Sequence, residues 1–261
     1  MDYYLFVFIL IISGFGSGLI VGIGSGTAGG LMIPILTVFL GRNIHSSIGT
    51  SLIIDSIIGG IAGLIFFKKG SVDIRSGVIL AITGVIGALI GSRFIQSAPE
   101  SGLNLFIGLG LMLLGINFLI NGIGKNVEYI NSKINFRKVR ENKVIAFVII
   151  GFIIGFISGF SGIGGGGLVT LILILVLCYS VHTAIGTSLI MLMFIAGAGG
   201  IVHIIQNEFY LDGILIAGVS SIFGAVIGSS YANKINEEKL GKIIGLIIVV
   251  FGFSVILKIF L

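Results

Sequence analysis

Apolar residues in this chain come in long, nearly uncharged runs separated by short polar connections. A helix needs about 20 mostly apolar residues to cross a hydrocarbon core of about 30 Å. Runs of that kind are Tyr3 to Val21, Ser47 to Phe67, Ser76 to Ile95, Gly102 to Ile120, Val144 to Phe160, Thr183 to Ile205, Gly213 to Tyr231 and Leu240 to Phe260. Eight membrane-spanning helices are expected from them. Two further runs, Gly30 to Leu40 and Gly166 to Leu177, are apolar but short, and each directly follows a glycine cluster. These read as half-helices or re-entrant segments.

The one strongly polar stretch runs from Gly124 to Lys143, with Lys125, Lys133, Arg137, Lys138, Arg140 and Lys143 against Glu128 and Glu141. Such a basic connector stays in the cytoplasm under the positive-inside rule. It divides two copies of one pattern: HSSIGTSLI from His45 returns as HTAIGTSLI from His182, 137 residues later. The same offset pairs Gly14, Gly18, Gly29 and Gly30 with Gly151, Gly155, Gly166 and Gly167, and Gly87 and Gly91 with Gly224 and Gly228. The expected organisation is a first membrane repeat over residues 1–123, a basic cytoplasmic linker over 124–143 and a second repeat over 144–261. Internal repeats of this kind build many transporters, with the substrate at the repeat interface. Charge favours inversion, since the connection Lys68 to Arg75 is basic and its counterpart Gln206 to Asp212 carries only Glu208 and Asp212. The N-terminus would then lie outside and the linker inside.

Composition agrees. Hydrophobic residues are 56% of the 261 and charged residues 10%, and the mean hydropathy is +1.22. A soluble domain carries about 25% charged residues, so this chain could not cover itself with a polar surface. The fold class is an all-α integral membrane protein of two homologous halves, each with four long helices and a short glycine-broken half-helix or re-entrant segment. The first run lacks the basic start and small-residue cleavage site of a signal peptide and reads as a membrane helix. Cys178 is the sole cysteine, which rules out an intrachain disulfide, and a net charge of +5 gives little basis for nucleic-acid binding. The oligomeric state is not legible.

The stretch SGIGGGGLVTL, Ser161 to Leu171, places four consecutive glycines inside an apolar region. A nucleotide loop would need a Lys and a Ser or Thr directly after them, and LVTL supplies no Lys. Helix packing accounts for the spacing-four series Gly14, Gly18, Gly22, Gly26 and Gly30 and for Gly151, Gly155 and Gly159. It does not account for consecutive glycines, each of which weakens a helix by about 1 kcal/mol relative to Ala. The clusters therefore read as deliberate breaks, tolerated at membrane depth only where buried in protein or lining a wet cavity. A half-helix starting at Gly30 or Gly167 would aim backbone N–H groups at that cavity, and Pro34 would fall in its first turn.

His45 and His182 stand where the next long helix starts, as caps or as lining of the pathway. The hydroxyls of Thr50, Ser51, Thr187 and Ser188 come next, either bonding back within their helix or lining a polar path. Asp55 is an acid inside an apolar run whose repeat mate is Leu192. An intramembrane carboxylate suggests proton coupling; pairing with Arg93, Arg42 or a backbone donor is the structural alternative. Arg93 reads as snorkelling and His203 as a buried or interfacial histidine; no cluster suggests a metal.

With these residues the sequence resembles the sulfite exporter TauE/SafE family, also called the toluene sulfonate uptake permeases. The resemblance is carried by GIGSGTAGGLMIPIL (Gly22 to Leu36), GFSGIGGGGLVTLIL (Gly159 to Leu173) and the paired HSSIGTS and HTAIGTS, and covers nearly the whole chain. It implies a cytoplasmic-membrane transporter for small anions such as sulfite, sulfonates or sulfoacetate. The implied substrate contacts are Gly29, Gly30, Gly165, Gly166 and Gly167 with Thr50, Ser51, Thr187 and Ser188. Leu171 stands where the family often has proline, and Ser25 and Thr27 interrupt the first cluster. The runner-up is a small-anion channel; an enzyme would need a nucleophile or metal constellation that the sequence lacks, and no cofactor is expected.

Overall fold

The structure, a computed structural model, describes residues 3–94, 136–161 and 165–257, with scattered positions between 112 and 133. The described residues form helices and connections, with no strand among them. In chain order the helices are α1 (Tyr3–Gly24), α2 (Gly29–Pro34), α3 (Ile44–Lys68), α4 (Ile74–Phe94), α5 (Arg137–Glu141), α6 (Lys143–Ser161), α7 (Gly166–Leu175), α8 (Val181–Ile205), α9 (Leu211–Ala232) and α10 (Glu237–Leu257). The repeat offset carries the starts of α2, α3 and α4 onto those of α7, α8 and α9.

Among the described residues five helices, α1, α3, α4, α8 and α9, are long and apolar enough to cross a membrane. The expected Val144 to Phe160 run lies in α6, whose apolar part is shorter, and the Leu240 to Phe260 run overlaps α10. The expected Gly102 to Ile120 span lies, but for a few positions, outside the described residues. Both short runs are short helices after a break, as expected.

Packing interleaves the two halves. α1 lies on α9, and its repeat mate α6 lies on α4. Both pairs are parallel: Gly14, Gly18 and Gly22 meet Ala217, Ser221 and Ala225 in that order, and Gly151, Gly155 and Gly159 meet Leu80, Gly84 and Ala88. α3 packs on its own mate α8, and that pair is antiparallel, with Gly49 against His203, Ser56 donating to Met193 O at 2.9 Å, and Phe66 against Gly186. Small residues let the parallel pairs approach until backbone touches backbone. A Cβ at Gly18 would run into Ser221 O, and one at Gly155 into Gly84 O. Outward positions such as Phe8, Ile12, Ile82 and Phe223 are exposed and apolar, a surface suited to lipid.

Pro34 departs from expectation. Because α2 begins at Gly29, Pro34 is its last residue and not part of its first turn. Proline there removes the N–H that would bond Gly30 O, yet the Ile35 N–H still reaches Leu31 O. The chain then passes into a π-helical turn, Ile35–Phe39, closed by the Leu40 N–H on Ile35 O at 3.1 Å.

Gly18→Ala and Gly155→Ala should each lower stability by about 1–3 kcal/mol through overpacking. Gly16→Ala, which meets nothing within 4 Å, should be neutral or stabilising. Thermal unfolding of the detergent-purified variants checks this; equal melting of the Gly16 and Gly18 variants would contradict the close approach.

Candidate functional site

The first break begins at Ser25, which leaves α1 with φ +54°, a left-handed conformation costly for a residue with a side chain. Thr27 and Ala28, just beyond it, are held by Asp55, fully buried about halfway along α3. One carboxylate oxygen accepts the Ala28 N–H at 2.6 Å and the other accepts the Thr27 hydroxyl, while Gly29 N–H donates to Thr27 Oγ1 at 3.1 Å. The amides that open α2 are thus met by a side chain of the protein itself. Among the described residues no cation pairs with Asp55; Arg42 is held 2.7 Å from Asp212, and the Arg93 side chain lies outside the described residues.

The second break differs. Residues 162–164 lie outside the described residues; from Gly165 onward the chain enters α7. Gly166 sits so close to the first break that a Cβ would be 2.6 Å from Ser25 O. Only glycine allows the two breaks to meet there. Ser188, early in α8, donates to Ser25 Oγ at 2.6 Å, and Thr170 Oγ1 is 2.6 Å from Ser188 Oγ and donates to Gly166 O at 3.1 Å. The result is a buried chain of three hydroxyls, Ser25, Ser188 and Thr170, joining both halves beside the start of α7. The position matching Asp55 is the buried Leu192, and among the described residues no carboxylate is bonded to the start of α7.

Of the expected site residues, Gly29, Gly30, Gly165, Gly166, Gly167 and Ser188 gather at the breaks. Ser51 bonds back to Ile48 O at 2.8 Å within its own helix. Thr50 and Thr187 stand apart, each fastening the other half's hairpin. Thr50 Oγ1 accepts the Tyr210 N–H at 2.9 Å, and Thr187 Oγ1 accepts the Asp73 N–H at 3.0 Å. Helix capping falls not to the histidines but to the residues just ahead of them. Asn43 accepts the His45 N–H at 2.8 Å, and Ser180 accepts the Thr183 N–H at 3.2 Å. His45 itself is exposed, and His182 Nε2 is 3.0 Å from Ala232 O at the end of α9. His203 Nδ1 is 3.0 Å from Glu208.

Side chains complete each fastening in its own chemistry. Beside Thr50, Arg42 pairs with Asp212 and lies 4.6 Å from the Tyr210 ring centroid, and Tyr210 Oη accepts the Asn43 N–H at 2.7 Å. Beside Thr187, Tyr179 and Ser76 each donate to Asp73 Oδ2 at 2.6 Å. Burial pushes the Asp73 carboxyl up, but these hydrogen bonds outweigh it and hold the pKa below its ordinary 3.8. Tyr179 is pushed up to about 12 by burial and by its bond to Asp73. Sequence reading missed this cluster, together with Ser25 and Thr170 as members of the break, because the contacts that join them, Tyr179 to Asp73 and Ser188 to Ser25, span 106 and 163 residues of chain. No group of three metal-ligating residues occurs among the described residues.

Long apolar helices, an internal repeat and a buried polar break at its centre define a multi-pass membrane transporter. The sequence profile of the sulfite exporter TauE/SafE family matches residues 10–255, and the chain belongs to that family. It is similar to a probable membrane transporter protein of Xylella fastidiosa, 29% identical with 92% of this chain and 93% of the relative covered. It is also similar to the probable membrane transporter protein YdhB of Bacillus subtilis, 26% identical over 83% and 86% of the two chains. A probable membrane transporter protein of Methanocaldococcus jannaschii is 26% identical over 98% of this chain and 97% of its own length. No solved structure matches.

Thr50→Val and Thr187→Val should each lower stability by about 1–3 kcal/mol, because a hairpin N–H loses its acceptor. The depressed Asp73 pKa contributes stability above the unfolded-state value that is lost as pH falls through the lower folded value. Melting temperature should therefore drop on acidification below about pH 4 more steeply in wild type than in Asp73→Asn. Parallel pH profiles for the two proteins would contradict the assignment.

Proposed function

We propose that the protein is a secondary transporter of small sulfur-containing oxyanions such as sulfite, sulfonates or sulfoacetate, built as an inverted repeat. The observation that carries the site is the meeting of the two breaks, where Gly166 abuts Ser25 and the hydroxyls of Ser25, Ser188 and Thr170 are linked. Antiparallel packing of α3 on its repeat mate α8 supports inversion, because mates related by a two-fold axis in the membrane plane must run in opposite directions. The family's name supports the substrate class.

The two half-helices then divide the work. α2 has its positive end occupied by Asp55, whereas α7 offers the amides of Gly165, Gly166 and Gly167 without a carboxylate from its own repeat. A transported oxyanion takes at α7 the place that Asp55 holds at α2, with Ser188 and Thr170 as hydroxyl donors once they turn from one another. Asp55 is the group through which protons couple to the anion.

Reconstituted protein given an outward or inward gradient of labelled sulfite or sulfoacetate tests this. Flux should saturate and become concentrative under a pH gradient, which a channel cannot achieve. Ser188→Ala with Thr170→Val should cut flux about tenfold, as expected for losing hydrogen bonds to a charged ligand. Unchanged flux in that double variant removes the site, and no flux of any sulfur oxyanion by wild type removes the substrate class.

A further inference from the structure

Ser17 is the one buried side-chain polar atom, among the described residues, without a hydrogen-bond partner. Its residue is 1% exposed, on the face of α1 toward the first break. It borders a cavity of about 30 Å³ walled by Ile20 on α1, Gly26, Thr27 and Gly30 at the break, and Ile247 and Val250 on α10. Most buried hydroxyls find a partner, since leaving one without costs about 1–3 kcal/mol. Neighbouring serines of these helices show the usual remedy: Ser13, Ser220 and Ser221 each bond back within their helix. Ser17 does not, and it lines a space with room for water, since about 10–15 Å³ open to a water centre is enough to hold one.

Thr27, on the same wall, donates its hydroxyl to Asp55. From the cavity to the carboxylate there is thus a single side chain. The cavity lies on the α1 and α10 side of the first break, whereas Ser25, Ser188 and Thr170 join that break to α7. No cation faces Asp55 from the described parts of the elements packed on α3. α1 and α2 carry no charged residue, the histidines of α8 lie near its ends, and Asp212 of α9 is paired with Arg42.

We propose that this cavity holds a water fixed by Ser17 and that protons reach Asp55 through it and Thr27, by a route separate from that of the anion. It rests on the reading of Asp55 as the coupling group. In the transfer, an excess proton on the water passes to Thr27 Oγ1 while Thr27 gives its own proton to Asp55 Oδ2. Two O–H bonds break and two form; the water returns to neutral, Thr27 is unchanged, and the carboxylate becomes a carboxylic acid. Ser17 is a positioning residue, acting through the water.

The test is hydrogen–deuterium exchange of the Asp55 carboxyl, followed by infrared spectroscopy on the purified, lipid-reconstituted protein in the absence of any transported anion. The protonated C=O band is assigned by its loss in Asp55→Asn. Ser17→Val, which fills the cavity and offers no hydroxyl, should slow deuterium uptake at that band about tenfold or more, the scale of losing a positioned proton-transfer partner. Ser17→Thr should restore the wild-type rate, and Gly16→Ala, on an open face of the same helix, should leave it unchanged. If Ser17→Val does not fold, Ser17→Ala should show slowed uptake in its place. Wild-type exchange in a folded Ser17→Val or Ser17→Ala protein overturns the proposal, as does an Asp55 that takes up no proton at any pH the protein survives. Because no anion is present, these results stand apart from the outcome of the flux assay.

Discussion

Backbone that leaves a helix inside a membrane must find its hydrogen bonds within the protein, because lipid offers none. The Asp55 carboxylate answers that constraint at the first break. By accepting the Ala28 N–H and the Thr27 hydroxyl it fixes where α1 ends and α2 starts. With the break held, Ser25 can sit in its left-handed conformation and present its oxygens to Gly166 and Ser188 of the other half. Remove the carboxylate and those partners lose their fixed point, although none of them touches it.

Interleaving does the rest. A half of this protein does not bury its own helices: α1 finds its close neighbour in α9, and α6 finds its own in α4. Each of these approaches brings a helix backbone against another, which any side chain beyond glycine would prevent. The hairpins fastened by Thr50 and Thr187 tie the halves again near opposite ends of the antiparallel α3 and α8 pair. One is completed by an ion pair and a stacked guanidinium, the other by a carboxylate collecting hydroxyls. Repeat-matched positions, Arg42 with Tyr179 and Asp73 with Tyr210, therefore carry different chemistry while performing the same joining.

Much of this was legible in the sequence because it depends on spacing. An offset of 137 residues locates both breaks, both half-helices and the glycine faces within a residue or so. Pro34 lies at the end of α2 and not in its first turn, because the helix is only six residues long and starts at Gly29. The hydroxyls divided in a way that spacing could not reveal. Thr187 and Ser188 are neighbours on α8, yet one reaches a hairpin and the other reaches the break, since adjacent helical residues point about 100° apart. His45 and His182 attracted attention as caps, but Asn43 and Ser180 are the residues with the extended backbone and short acceptor that capping needs. Ser25 interrupts a glycine cluster in the sequence, and its contact with Ser188 crosses 163 residues.

The departure from symmetry is the most informative feature of the centre. Each half-helix start carries roughly half a positive charge in its unsatisfied amides. If both repeats had kept a carboxylate, both ends would be neutralised by the protein and nothing would draw in an anion. If neither had, two adjacent positive ends would stand unmet in a buried site, where an uncompensated partial charge is costly. Among the described residues, Asp55 meets the start of α2, whereas Leu192 takes the matching position and three linked hydroxyls lie beside the start of α7. In the function proposed above, that one difference between matched positions makes the first break a support and the second the place for the anion.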